Sequence, residues 1–257
     1  MGNDSRKQFA VITGGTSGIG YATARHFLES GYGVVIMFGN DTDRAELKKT
    51  ELISSGYSEG NDFMFVHADI STEESIEHGL ATIDPIREKI TVLVNNAGAL
   101  KRGAFQELHT SDWEYVFGVN VFGIVNMTSW FSKNCPSAQV VINIGSIRGF
   151  THVSRLNNMI YSVSKACIPT LTAVLAKQLG PDIRVVAILP GTIDTPQRQG
   201  ITEEEFKLYG EDNTILKRIG TPDEIAEICL FLASEKAGYI TGTSITVDGG
   251  YSVNYIQ

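Results

Sequence analysis

The sequence predicts a single α/β domain built on a doubly wound, parallel, seven-stranded sheet with helices on both faces. Short β-branched runs alternate with helical patterns from one end of the chain to the other. Those runs are almost continuously apolar, as strands buried on both faces are. The 257 residues suit one large α/β domain, and no repeat, low-complexity tract or Pro/Ser linker divides residues 1–257. A chain of this length buries roughly three-quarters of its unfolded surface, so it needs no covalent staples.

The elements follow in order. Phe9–Thr13 reads as the first strand and Ile19–Ser30 as the first helix. Val34–Phe38 is the second strand, followed by a helix over Arg44–Ser55. Phe63–Ala68 is the third, and Ser71–Ile90 is helical with an interruption at Pro85, which has no N–H to donate. Thr91–Asn95 is the fourth strand, and a long helix runs from about Ser111 to Lys133. Val140–Ile144 is the fifth, with a helix over Asn158–Leu179. Ile183–Leu189 is the sixth, followed by a polar, looser stretch over Thr192–Leu216 that reads as a lid over a substrate. A helix over Pro222–Ala233 and a strand over Ser244–Val247 close the pattern.

Composition narrows the function. A hydrophobic content of 42% and a charged content of 19% are those of a soluble globule, and the net charge of −8 argues against a nucleic-acid or anionic-membrane surface. Cys135, Cys167 and Cys229 are widely spaced with no Cys-x-x-Cys, so small apolar filler is expected rather than disulfides or a metal site. The start of the chain, Met1–Gln8, is polar, and no unbroken apolar run of membrane-spanning length stands out. A cytoplasmic location is the expectation.

Two local patterns carry chemistry. Thr13-Gly14-Gly15-Thr16-Ser17-Gly18-Ile19-Gly20 lies between the first strand and first helix. There Gly14 suits a tight turn, Gly18 the close approach of backbone to a pyrophosphate, and Gly20 close helix–sheet packing. The helix N-terminus would then offer its unpaired N–H groups to phosphates. Tyr161 and Lys165 are four residues apart, so on a helix they share one face. A nearby ammonium favours phenolate and draws a phenol from its usual pKa of ~10 toward the range where acid–base catalysis works. Ser146, on the loop leading in, is placed to hydrogen-bond a substrate oxygen. Alone, the Tyr-x-x-x-Lys pair reads equally as a surface aromatic under a lysine stem.

Together with Asn95-Asn96-Ala97-Gly98, Asn120, Pro190-Gly191-Thr192-Ile193-Asp194-Thr195 and Asp248-Gly249-Gly250, these motifs resemble the short-chain dehydrogenase/reductase family from about residue 8 to residue 251. The resemblance implies a Rossmann-like fold and an NAD(P)-dependent oxidoreductase acting on a carbonyl or alcohol. Tyr161 would be the acid in reduction and the base in oxidation. Lys165 would lower its pKa and hold the nicotinamide ribose, Ser146 would hold the substrate oxygen, and Asn120 would kink its helix and anchor a water in a proton relay. The cofactor would meet Gly14, Thr16, Ser17, Gly18, Ile19, Gly20, Phe38, Asn40, Asp69, Ile70, Asn96, Ala97, Gly98, Pro190, Gly191, Ile193 and Thr195 as well as Tyr161 and Lys165. Asp69 reads either as the adenine partner or as a helix cap. No metal is implied. A homotetramer is implied, joined through the helices after the fourth and fifth strands and the region Ile240–Tyr251.

The end of the second strand, Phe38-Gly39-Asn40, lacks the carboxylate that NAD enzymes direct at the ribose 2′-hydroxyl. NADP(H) is therefore preferred over NAD(H), with Asn40, Thr42, Arg44 and Ser17 available to a 2′-phosphate, although Asp41 and Asp43 pull the other way. Ser146 and Tyr161 are further apart than is usual in the family, and the extra length is polar and basic. Arg148 and Arg155 in this loop, with Lys101 and Arg102 expected at the same mouth, read either as contacts for a polar, anionic substrate or as surface charges. Two other functions fit the pattern. One is a 3-oxoacyl-(acyl-carrier-protein) reductase, and the other is a dinucleotide-binding redox sensor without turnover. Pro169, one turn past Lys165, predicts a kink.

Overall fold

The computed structural model describes residues 7–154, 156–196 and 202–254. Seven parallel strands form one sheet: β1 (Phe9–Thr13), β2 (Gly33–Phe38), β3 (Phe63–His67), β4 (Ile90–Asn95), β5 (Val140–Ile144), β6 (Arg184–Pro190) and β7 (Ser244–Val247). Their spatial order is β3-β2-β1-β4-β5-β6-β7. The chain works outward from β1 to β3, then returns to the other side of β1 to lay down β4. The crevice at the carboxyl ends of β1 and β4 is thus the switch point where such sheets bind ligands.

Alternate residues along each strand face opposite sides, and this builds two cores. Ala10, Ile12, Val34, Ile36, Val92 and Val94 pack with Phe27, Leu28, Ile225 and Cys229. The latter come from α1 (Gly18–Glu29) and, after the other helices, from α8 (Pro222–Ala233). Val11, Val35, Met37, Leu93 and Val141 pack on the other face with Ile76, Leu80, Met127, Trp130 and Phe131. Burial pushes the Cys135 and Cys229 thiols up to about 12, consistent with inert filler in those cores.

Predicted elements recur within a residue or two, apart from three local departures. α2 spans Thr42–Ser54, and α3 (Glu73–Leu80) gives way to a 3₁₀ stretch, Ala81–Lys89, that contains Pro85. The tighter helix accommodates the missing N–H. The single helix expected from Ser111 to Lys133 is instead α4 (Thr110–Phe117), a π-helical turn over Gly118–Phe122, and α5 (Gly123–Asn134). The π turn carries Asn120, the residue implied to kink this helix. Finally, three short 3₁₀ turns, Ile147–Gly149, Thr151–Val153 and Leu156–Asn158, fill the loop before α6 (Met159–Leu179).

Helix α6 has a mean hydropathy of 1.4, which by length and composition suffices to cross a membrane, although no such run stood out in the sequence. In this fold it packs on β6, buries Lys165 and exposes Val163 and Val174. The stretch expected from sequence to be a lid holds α7 (Glu203–Asn213).

Candidate active site

A cleft of about 810 Å³ opens over the carboxyl ends of the strands. Gly14, Thr16, Ser17, Gly18 and Ile19 line its floor at the start of α1, and Phe38, Asn40, Asp69 and Ile70 line one end. Asn96, Ala97 and Gly98 follow β4, while Pro190, Gly191, Ile193 and Thr195 follow β6. Ser146, Tyr161 and Lys165 close the other end. The cofactor residues predicted from sequence line this one cleft, except Gly20 and the 2′-phosphate candidates Thr42 and Arg44, the latter paired with Asp41.

Gly20 acts from behind. A methyl group there would lie 2.3 Å from the Gly14 carbonyl oxygen and 2.4 Å from the Asn96 amide, so only glycine lets α1 come this close to the turn. Gly18 has φ +50°, a left-handed conformation that costs other residues energy. The turn is cross-braced to β4. Thr13 Oγ1 accepts from the N–H groups of Asn96 and Ala97, both at 3.0 Å, and Asn96 Nδ2 donates back to the carbonyls of Thr13 and Gly14. Ser17 is the N-cap of α1, yet its side chain makes no capping bond. Ser17 lines the cleft beside the first N–H groups of the helix, a cradle suited to phosphate.

At the other end of the cleft, Asp69 Oδ1 accepts from Ser71 N–H at 2.9 Å, so the residue both lines the cleft and shapes the turn before α3. Asp41 caps α2 by accepting from Arg44 N–H and pairs with the Arg44 guanidinium at 3.0 Å. Its charge is thereby committed locally.

The chemical end is assembled by the π turn and α6. Asn120 is fully buried; its Oδ1 accepts from Ala99 N–H at 2.7 Å, and its Nδ2 donates to the Ala99 carbonyl and to Ser164 Oγ. Ser164 Oγ donates in turn to the Tyr161 carbonyl at 2.8 Å. Asn120 thus clamps the loop after β4 to the first turn of α6, and its side-chain amide is spent on that clamp. Asn95 sits deeper, donating to Asn143 and Thr128 in a buried polar ladder that Asn143 extends to Thr172. The sequence motif hid this division of labour between Asn95 and Asn96.

Lys165 is buried and donates to the Ile144 carbonyl at 2.8 Å, with its Nζ 5.8 Å from the centre of the Tyr161 ring. Burial alone brings its pKa down to about 8. The Tyr161 phenol moves the opposite way from the sequence expectation. Burial raises its pKa, and the opposing influences are a hydrogen bond with Ser146 and the positive charge of Arg148, not Lys165. The reason is placement: Lys165 donates to the Ile144 carbonyl at the end of β5, with its Nζ 5.8 Å from the centre of the Tyr161 ring.

Of the four cations predicted to approach the substrate, Arg148 and Arg102 line the cleft. Lys101 turns away to pair with Asp112 at 3.2 Å, drawn by the carboxylate that also accepts from His109 N–H at the start of α4. Its neighbour Arg102 reaches the cleft mouth instead. Arg155 lies outside the described residues. Phe206 and Tyr209, from the stretch expected to be a lid, line the cleft, as do Tyr115 and Asn158. Asn158 Oδ1 is buried with no hydrogen-bond partner among the described residues. Tyr251, just beyond the Asp-Gly-Gly turn, was missed; it contacts Arg148 from the far end of the chain. No local pattern marks such a pairing.

Pro169 also finds its place here. It offers no N–H to the Lys165 carbonyl. Gly149, in the turn after Ser146, packs directly on that carbonyl: an added methyl would lie 2.8 Å from its carbon and oxygen.

Comparison with known proteins gives the chain's relatives. Residues 14–252 match the family model described as enoyl-(acyl carrier protein) reductase. The chain is 36% identical over 245 residues to a 3-oxoacyl-(acyl-carrier-protein) reductase of Aquifex aeolicus, covering 94% of this chain and 96% of that protein. Among solved structures, a short-chain dehydrogenase/reductase from Serratia marcescens superposes with a TM-score of 0.82 at 27% identity, covering 95% of this chain and 98% of that one. A blue fluorescent protein from a metagenomic library, in complex with NADPH, superposes with a TM-score of 0.83 at 27% identity over 95% of this chain and 98% of that one.

Proposed function

The chain belongs to the short-chain dehydrogenase/reductase family, and from that premise we propose that it moves a hydride between NADP(H) and the carbonyl or alcohol carbon of a small polar molecule, with NAD(H) as the second-choice cofactor. The observation that carries this reading is the gathering of Ser146, Tyr161 and Lys165 at one end of a nucleotide-sized cleft.

The bound nucleotide supplies or accepts the hydride. The glycine turn, with Ser17 and the first N–H groups of α1, holds its phosphates. Phe38, Asn40, Asp69 and Ile70 flank its adenosine end, and Pro190 to Thr195 cover its nicotinamide end. Tyr161 gives its proton to the substrate oxygen in reduction and takes it back in oxidation. Ser146 holds the same oxygen by a second hydrogen bond, which strengthens as negative charge develops there. Lys165 holds the ribose hydroxyls beside Tyr161, and Asn120 keeps the start of α6 in register with β4.

Preference for the phosphorylated nucleotide is supported by the absence of a carboxylate at Phe38, Gly39 and Asn40, by the engagement of Asp41 with Arg44, and by the uncapped Ser17 hydroxyl. The NADPH held by the metagenomic relative points the same way. A second reading, reduction of a 3-oxoacyl thioester on a carrier protein, is favoured by the Aquifex relative. A silent redox sensor would have no use for the proton-donating pair. Assembly as a homotetramer is supported by exposed apolar Phe122 and Val125 on α5 and its approach, and by Val163 and Val174 on α6.

The test is steady-state reduction of a panel of ketones, sugars and acyl thioesters with NADPH and with NADH, by the wild-type protein and by Tyr161→Phe. A NADPH-dependent activity that falls by about 100-fold or more in the variant is expected, since general acid catalysis contributes on that scale. Turnover unaffected by Tyr161→Phe would refute the assigned role.

A further inference from the structure

Arg148 is a partly buried arginine in the cleft wall whose charge meets no carboxylate among the described residues. Elsewhere Arg25 pairs with Asp223, Arg44 with Asp41, Arg87 with Asp84 and Arg218 with Glu224. Arg148 has only neutral partners among the described residues. Its Nη1 donates to the Val153 carbonyl at 2.9 Å and to Tyr251 Oη at 3.4 Å, and its Nη2 donates to Tyr209 Oη at 3.0 Å. The guanidinium carbon stands 5.0 Å from the centre of the Tyr251 ring, and the two tyrosine hydroxyls are 2.7 Å apart. A guanidinium has five N–H donors. The Nε hydrogen and the second Nη2 hydrogen have no partner among the described residues.

Withdrawing a cation from water without a counter-charge is costly, and the cost disappears when an anion docks against it. This cation is aimed where such an anion would matter. It lies two residues after Ser146, and its charge is felt at the Tyr161 phenol. An anionic group docked here sits within the same substrate whose oxygen lies between Ser146 and Tyr161.

We propose that Arg148, bracketed by Tyr209 and Tyr251, docks the carboxylate of the substrate, which is therefore a short oxo acid or the corresponding hydroxy acid. The proposal rests on the carbonyl/alcohol reading above and names its substrate class. A planar guanidinium matches a carboxylate with paired hydrogen bonds. One positive charge suits a monoanion. Among the described residues, the other cations near this end are engaged or remote from it, Lys165 with Ile144, Lys101 with Asp112, and Arg102 exposed at the mouth. A thioester carries no charge beside its carbonyl and would leave Arg148 as it is. In the reaction, the hydride and the Tyr161 proton add across the C=O bond, and the carboxylate is unchanged. Tyr209 belongs to α7, so docking on Arg148 also ties the lid segment to the substrate.

The test uses three acid/ester pairs that place the carboxylate at different distances from the ketone: pyruvate, acetoacetate and levulinate, each beside its methyl ester. Calorimetric titration of the protein–NADP⁺ complex should show at least one acid bound about 10–100-fold more tightly than its ester, the scale of a charged hydrogen bond. In Arg148→Met that ratio should collapse toward one, and in Tyr251→Phe, which keeps the ring but removes the hydroxyl, it should fall partway. The ratio is the readout because a merely structural defect weakens both members together. Equal affinity of acid and ester for all three pairs in the wild type, or an unchanged ratio in both variants, overturns the proposal. Rates separate it from the broader reading. Esters reduced as well as the acids would remove the carboxylate site but leave carbonyl reduction standing. An acid that binds through Arg148 yet is never reduced would do the reverse.

Discussion

Gly149→Ala tests how closely the Ser146 turn must sit on α6. The added methyl would lie 2.8 Å from the Lys165 carbonyl carbon and oxygen and from Ala166 N, all of them backbone atoms. Unstrained contacts between such atoms are about 3.5–4.0 Å, so turn and helix must separate by about 0.7–1.2 Å. The turn cannot absorb this locally. Gly149 N–H donates to the Ser146 carbonyl at 3.2 Å, and Arg148 N–H to Ser146 Oγ at 3.1 Å. The shift therefore passes to the Ser146 hydroxyl and away from Tyr161. Misplacement by about 1 Å costs on the order of 100-fold in rate, and overpacking costs about 1–3 kcal/mol of stability. The assay is kcat for carbonyl reduction together with the KM for NADPH and thermal unfolding. We expect kcat to fall by about 100-fold while the nucleotide KM changes little, because the glycine turn is untouched. A folded Gly149→Ala protein with wild-type kcat would refute the argument that this contact sets the hydroxyl pair.

Two more outcomes follow from the buried groups and the open helix face. Lys165 titrates near 8 in the fold against an ordinary 10.5, so the unfolded chain holds more protons between those values and the contribution of Lys165 to stability rises with pH across that window. Cys135 and Cys229, pushed up from 9.0 to about 12, act oppositely, and their contribution is lost as pH climbs past 9.0. Urea unfolding from pH 8 to 10.5 should therefore show the stability of wild type relative to Lys165→Met increasing with pH; a constant difference would contradict the buried, uncompensated lysine. Light scattering of the purified protein should give the mass of four chains, and a monomer mass would leave the apolar residues of α5 and α6 unexplained.

Much of this molecule is legible along the chain, because the relevant signals are local. Strands buried on both faces read as apolar runs, and the glycines between Thr13 and Gly20 mark a turn that must admit phosphate. The four-residue spacing of Tyr161 and Lys165 survives into α6. The order of elements can be read along the chain, and with it the sheet, the switch point and the residues gathered there. The electrostatics came from folding. Lys101 and Arg148 look alike as loop cations, but one finds Asp112 and the other finds two phenols, Tyr251 from 103 residues away. Tyr161 was expected to be acidified by Lys165, whereas burial raises it and Ser146 and Arg148 hold it back. Desolvation and charge depend on what the folded chain brings within a few ångströms, and no periodicity in the sequence records that distance.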